Sequence, residues 1–201
     1  MKGLTGTKNI LNRTDLRIAV LDLEASALGF GSYPVEVGVA LIQPAGHPIR
    51  TWSAMIRPTE AWLSNGLWSP ASAGVHGISL ETLGQQGYAV EHVCDWLNNL
   101  LGSKTIVATD APRYDQDWLD TLFKAASREQ RFTLYDFEML TGGLGPDQYR
   151  QLVYLLERDQ VPHRAGPDAL RLASKLMEAH RGYPPRSEPL EHPPGGGPLA
   201  K

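Results

Sequence analysis

Between Arg17 and Glu24 the chain reads RIAVLDLE, with Ile18, Val20, Asp22 and Glu24 on one parity and Ala19, Leu21 and Leu23 on the other. Side chains of a strand alternate between two faces, so this run predicts a buried β-strand that ends with two carboxylates on one side of its sheet. No other feature limits the fold as much. Neighbouring buried carboxylates repel and lose solvation, which is costly without a cation. Either the strand stops near Leu21 and the acids stand in solvent, or the fold brings a cation to them.

A turn-rich stretch from Ala27 to Pro34, carrying Gly29, Gly31 and Ser32, leads to a second alternating run, Val35 to Gln43. Pro44, Gly46 and Pro48 separate it from a third, Ile49 to Ile56, closed by Pro58. Three sequential strands with short Gly/Pro links predict an antiparallel meander. The period then changes. Val90, Val93, Cys94, Leu97, Leu100 and Leu101 fall on one helical face, stopped by Gly102. Thr105 to Thr109 predicts a fourth strand, Tyr114 to Ala126 a helix, Phe132 to Tyr135 a fifth strand, Asp147 to Glu157 a helix, and Gly166 to His180 a last helix. The expected class is α/β, a mixed sheet of an antiparallel meander plus parallel strands, flanked by α-helices. Residues 1–16 read as an N-terminal extension and 17–181 as one domain. Residues 182–201, rich in proline and glycine and short of periodic apolar positions, read as a flexible tail.

Composition narrows the function classes. The 201 residues suit a single domain. Lysine plus arginine number 19 against 22 acids, a net charge of -3, so no general basic coat for nucleic acid is present, although a local basic strip stays compatible. The lone Cys94 excludes an intrachain disulfide framework and fits a reducing compartment. No apolar run approaches the roughly 18 residues of a membrane span, and the first residues lack the apolar block of a signal peptide. A cytoplasmic location without membrane attachment is expected.

Two further acids stand where apolar residues belong. Asp115 precedes Trp118, Leu119 and Leu122 by three, four and seven positions and so joins the apolar stripe of its helix, whereas Asp117 and Asp120 point to solvent. Pro167 opens the last helix and places Asp168 in its first turn over Leu172, with His163 in the loop just upstream. Each acid on its own also reads as a partner of the helix dipole. Together with Asp22 and Glu24, three elements aim carboxylates inward, and an all-oxygen donor set selects hard divalent cations such as Mg2+ or Mn2+. Glu36 stands on the second strand, either supporting that site or solvated. Trp52, Trp62, Trp96 and Trp118 are expected in the core.

These residues resemble the DEDDh branch of the DnaQ-like 3'-5' exonucleases, of the ribonuclease H-like superfamily. Ile18-Ala-Val-Leu-Asp22-Leu-Glu24 is similar to its first motif and Pro34-Val-Glu36-Val-Gly38 to the strand that follows. Tyr114-Asp115-Gln-Asp-Trp118-Leu119 is similar to the second motif, His163-Arg-Ala-Gly-Pro-Asp168 to the third, and Val75-His76-Gly77-Ile78-Ser79 to a further family-like segment. A tyrosine at 164 marks the sister branch, and this chain has Arg164. It departs from the family in Ala25-Ser26-Ala27 after the glutamate and in Thr109-Asp110-Ala111 before the second motif, where Asp110 is a rival for the second-motif acid.

The resemblance implies a ribonuclease H-like exonuclease domain over 17–181, with two divalent cations on Asp22, Glu24, Asp115 and Asp168. It implies His163 as general base, a role that imidazole suits near neutral pH, and release of nucleoside 5'-monophosphates from nucleic-acid 3' ends, DNA or RNA. Ala25, Ser26, Leu28, His76 and Tyr114 are the expected substrate contacts, with Trp68 as a further stacking ring. The alternative is a nucleic-acid-binding or accessory subunit of a replication, repair or RNA-processing assembly that keeps the fold without strong turnover. A homodimer or a polymerase or repair partner belongs with these expectations.

Overall fold

The meander expected from the alternating runs forms in full. A computed structural model describes residues 10–43 and 47–195. The link residues Pro44 and Gly46, the first nine positions of the N-terminal extension and the last six of the tail lie outside the described residues. Strands β1 (Arg17–Ala25), β2 (Pro34–Ile42) and β3 (Arg50–Met55) pair antiparallel in sequence order. The short helices α1 (Glu60–Asn65), α2 (Pro70–His76) and α3 (Leu80–Gln86) follow, then α4 (Val90–Leu101). Strand β4 (Thr105–Thr109) lies parallel to β1, and after α5 (Pro112–Ala125) strand β5 (Leu134–Asp136) lies parallel to β4. The helices α6 (Glu138–Thr141), α7 (Pro146–Arg158) and α8 (Ala165–Arg181) complete the chain. The sheet order is β3-β2-β1-β4-β5, the mixed α/β sheet expected.

The parity of β1 divides the core. Ala19, Leu21 and Leu23 pack with Val93 and Leu97 of α4 and Leu119 and Leu122 of α5. Ile18 and Val20 pack on the other face with Leu172 and Leu176 of α8 and Leu152 of α7. Asp22 and Glu24 continue this second parity, so their side of the sheet is the one that α8 covers. Trp52, Trp96 and Trp118 are buried as expected, while Trp62 is half-buried and stacks on Tyr33 at 5.1 Å between ring centroids. Among the described residues no helix is long and apolar enough to cross a membrane.

Periodicity does not reveal α1, α2 or α3, because six or seven residues make under two turns. Their caps are written in the sequence nonetheless: the Thr59, Ser69 and Ser79 hydroxyls accept the Trp62, Ser72 and Thr82 N–H groups. β5 begins two residues later than expected because Phe132 turns into the core, edge-on to Phe123.

The segment after Gly182 departs from the flexible tail expected of its composition. Ser187 and Glu191 bridge to Ile49 and Trp52 in parallel sense along the outer edge of β3. Ile49 and Ser53 donate backbone N–H bonds to Arg186 and Glu191, and Glu188 and Glu191 donate back to Ile49 and Thr51. Arg50 adds ion pairs to Glu188 and Glu191. Apolar content is not what orders this segment. An edge strand offers unpaired backbone groups, and a chain lacking helical or strand pattern of its own still satisfies them.

Candidate functional site

Strand β1 outlasts its parallel neighbour: the pairing with β4 ends at Val20 opposite Ala108, and Asp22 and Glu24 project beyond it. This is the carboxyl end of the two parallel strands, where open α/β sheets leave a crevice. A register shift between Glu24 and Ala25 marks a bulge against β2, which turns the chain into the loop over residues 26–33. Helix α8 delivers Asp168 from its first turn, buried at 6% exposure. Its carboxylate accepts the Arg164 N–H at 3.1 Å and lies 3.4 Å from Arg171 Nε. Asp22, Glu24 and Asp168 each bring a carboxylate oxygen to within 4.8 Å of the other two.

Asp115 stands beside this group without belonging to it. It is 1% exposed at the start of α5, and the Thr109 hydroxyl from the end of β4 donates to its Oδ2. Burial pushes Asp22 well above the usual carboxylate range, reinforced by Asp115, Glu24, Asp168 and Asp110. Burial first, then Asp168 and Glu36, raises Glu24 to about 7, against the opposing pull of Arg164. Burial likewise raises Asp115 to about 7, although the Thr109 hydrogen bond works the other way. Asp110, the rival acid, sits at the exposed end of β4, raised mainly by desolvation. Buried carboxyls held up in this way, with oxygen as their only donor, suit a hard divalent cation.

Glu36 behaves in the opposite sense, and sequence reasoning left its role open. It is 1% exposed on β2, accepts Arg164 Nε and Nη2 at 2.8 and 2.7 Å, the Ala165 N–H at 3.0 Å and the Ser53 hydroxyl at 2.6 Å. Burial alone would raise it, but the Arg164 and Ser53 hydrogen bonds outweigh burial and hold it below its ordinary value. The same turn is pressed onto the sheet at Gly38, where a Cβ would stand 2.1 Å from the Ala165 carbonyl group. His163 directly precedes this clamped turn. It has a left-handed backbone (φ 53), is exposed, and makes no hydrogen bond among the described residues.

The expected substrate contacts differ in what they leave free. Leu28 and Tyr114 are exposed, and Ala25 is buried at the end of β1. Ser26 is fully buried: its hydroxyl donates to Leu67 O and accepts the Tyr33 N–H, and its backbone bonds Tyr33 O and Ser69 N. His76 is buried, with Nδ1 accepting the Ile78 N–H. Trp68 is half-buried beside Tyr33. Cys94 is buried in the core, its thiol pushed up to about 12 by desolvation, so it takes no part in the site.

No protein-family model and no curated protein matches the sequence. Solved structures do resemble it. Exonuclease I from Methylocaldum szegediense is similar at a TM-score of 0.60 and 15% identity, over 83% of this chain and 41% of that one. E. coli Exonuclease I in complex with a dA16 oligonucleotide gives 0.61 and 13%, over 83% and 42%. The nuclease domain of 3'hExo, a DEDDh family member, bound to rAMP, gives 0.57 and 17%, over 86% and 96%. The chain thus spans about two fifths of the exonuclease I chains and nearly all of the 3'hExo domain. The likeness is one of fold: the five-stranded mixed sheet flanked by helices has the ribonuclease H-like form expected from the sequence.

Proposed function

We propose that the protein is a metal-dependent 3'-5' exonuclease that hydrolyses phosphodiester bonds at single-stranded nucleic-acid 3' ends and releases nucleoside 5'-monophosphates. The observation that carries this reading is the convergence of Asp22, Glu24 and Asp168 from the first strand and the last helix, with buried Asp115 beside them. These four residues would hold two divalent cations, Mg2+ or Mn2+. Bound there, the cations supply Lewis-acid stabilisation of the charge that builds on the phosphate and the leaving 3' oxygen.

The chain's own residues do the rest. His163 takes the proton of the attacking water as general base, and its exposed position leaves the ring free to meet substrate. Asp168 and Glu36 hold the backbone of residues 164 and 165, so the histidine swings from a fixed base. Thr109 fixes the rotamer of Asp115. Leu28 and Tyr114 present apolar surface to the terminal nucleotides. The oligonucleotide bound to one structural neighbour belongs to the substrate class proposed, and the rAMP bound to another to the class of product.

A 5'-labelled oligonucleotide incubated with protein and magnesium should shorten stepwise from its 3' end, and Asp22→Asn should abolish the ladder. An intact oligonucleotide, or a ladder unchanged in Asp22→Asn, overturns the reading. Calorimetric titration of manganese into the wild type and Asp168→Asn then separates a nucleic-acid-binding module from an enzyme, because only a working metal site shows acid-dependent heat.

A further inference from the structure

A cavity of about 760 Å³ opens between the loop over residues 29–32, α1 and the start of α5. Phe30, Trp62, Arg113, Tyr114, Asp117 and Trp118 line it. Phe30 is fully exposed, yet its loop is tied down. Gly29 and Gly31, at φ 100 and 85, permit the turn. Ser32 Oγ donates to Gly29 O at 2.7 Å, Trp118 Nε1 donates to Ser32 Oγ at 2.9 Å, and the Leu67 N–H donates to Gly31 O at 2.8 Å. An aromatic ring held out in water by a fixed loop is a stacking platform without its partner. Arg113 forms no ion pair among the described residues and faces the same space as a cation available to phosphate. Asp117 shares the wall, so the grip is aromatic before it is electrostatic.

We infer that this groove binds the single strand on the 5' side of the scissile bond, stacking a base on Phe30 and pairing a phosphate with Arg113. The inference rests on the exonuclease reading for its direction. Tyr114 lines the groove and the next residue, Asp115, is one of the four acids proposed above to hold the cations, so a strand whose 3' end reaches those acids passes Tyr114 and enters the groove. Nothing in such stacking selects one base over another, because every base has a π-face.

The test uses a hexanucleotide with 2-aminopurine three positions from its 3' end, bound in calcium so that affinity is read without turnover. Wild type should quench the reporter, and Phe30→Ala should bind roughly 5- to 150-fold more weakly with the quench lost. Dinucleotide affinity serves as the reference, so the ratio of hexanucleotide to dinucleotide affinity is what falls. Arg113→Gln should reduce the slope of log affinity against log salt by about 0.7, one single-strand phosphate. Equal hexanucleotide binding by wild type and Phe30→Ala overturns the inference. So does the absence of hexanucleotide binding by wild type, or a quench seen only when the reporter sits on the complementary strand of a duplex end. Hydrolysis of the dinucleotide in magnesium tests the exonuclease reading separately, so either can fail while the other stands.

Discussion

Glu24 and Glu36 face each other across β1 and β2, yet one is pushed up to about 7 and the other held below its ordinary value. The difference is Arg164. Its bidentate grip goes to Glu36 and not to Glu24. Glu36→Gln removes the charge from a buried pair whose other member is half exposed, and should destabilise the protein by about 2–3 kcal/mol in urea unfolding. His163→Ala should lower kcat by about 10²- to 10⁴-fold while manganese heats of binding stay intact, since the ring holds no cation in this scheme. The acids were legible because a carboxylate on an apolar stripe is conspicuous from its own neighbours. Arg164 was not. Its partner lies 128 positions away and no local pattern announces the pair.

The elements that carry the site are also the ones with clear periods: β1, β4, α5 and α8 form within one or two residues of their predicted limits. What the pattern leaves out is how they touch. A glycine inside a strand ordinarily weakens it, whereas Gly38 is where β2 lets the first turn of α8 approach. Gly38→Ala should therefore cost about 3 kcal/mol or more, seen as a lower urea midpoint, because backbone stands where the methyl would go. The segment along β3 shows the complementary failure of composition. Its order comes from an edge strand's open hydrogen bonds, which no periodicity in residues 183–193 records. Truncation before Tyr183 should expose that edge, and light scattering should show association that the full chain resists.

For the molecule as a whole, the net charge of -3 conceals a local imbalance. Between about pH 4.5 and 7 an unfolded chain gives up its carboxyl protons while Glu24 and Asp115 in the fold keep theirs. The metal-free protein should thus be most stable at the acid end of this window and lose stability as pH rises through it. Glu36 acts below the window, where its contribution falls as acid protonates it. Magnesium at a hundred times its Kd should restore about 2.7 kcal/mol, or about 5–10 °C in Tm for a chain of this size. The gain should be larger at pH 8 than at pH 5.5 in calorimetric scans with and without chelator. Asp22→Asn should raise the Tm of the metal-free protein and erase the gain. Because Asp22 stands on the first strand and Asp168 on the last helix, the clustered carboxylate oxygens stay dispersed in a nascent chain until α8 docks. On the proposed metal-dependent reading, capacity for the cation is withheld until the fold closes, and a single proteolytic cut that releases the last helix would silence the site without touching the first motif.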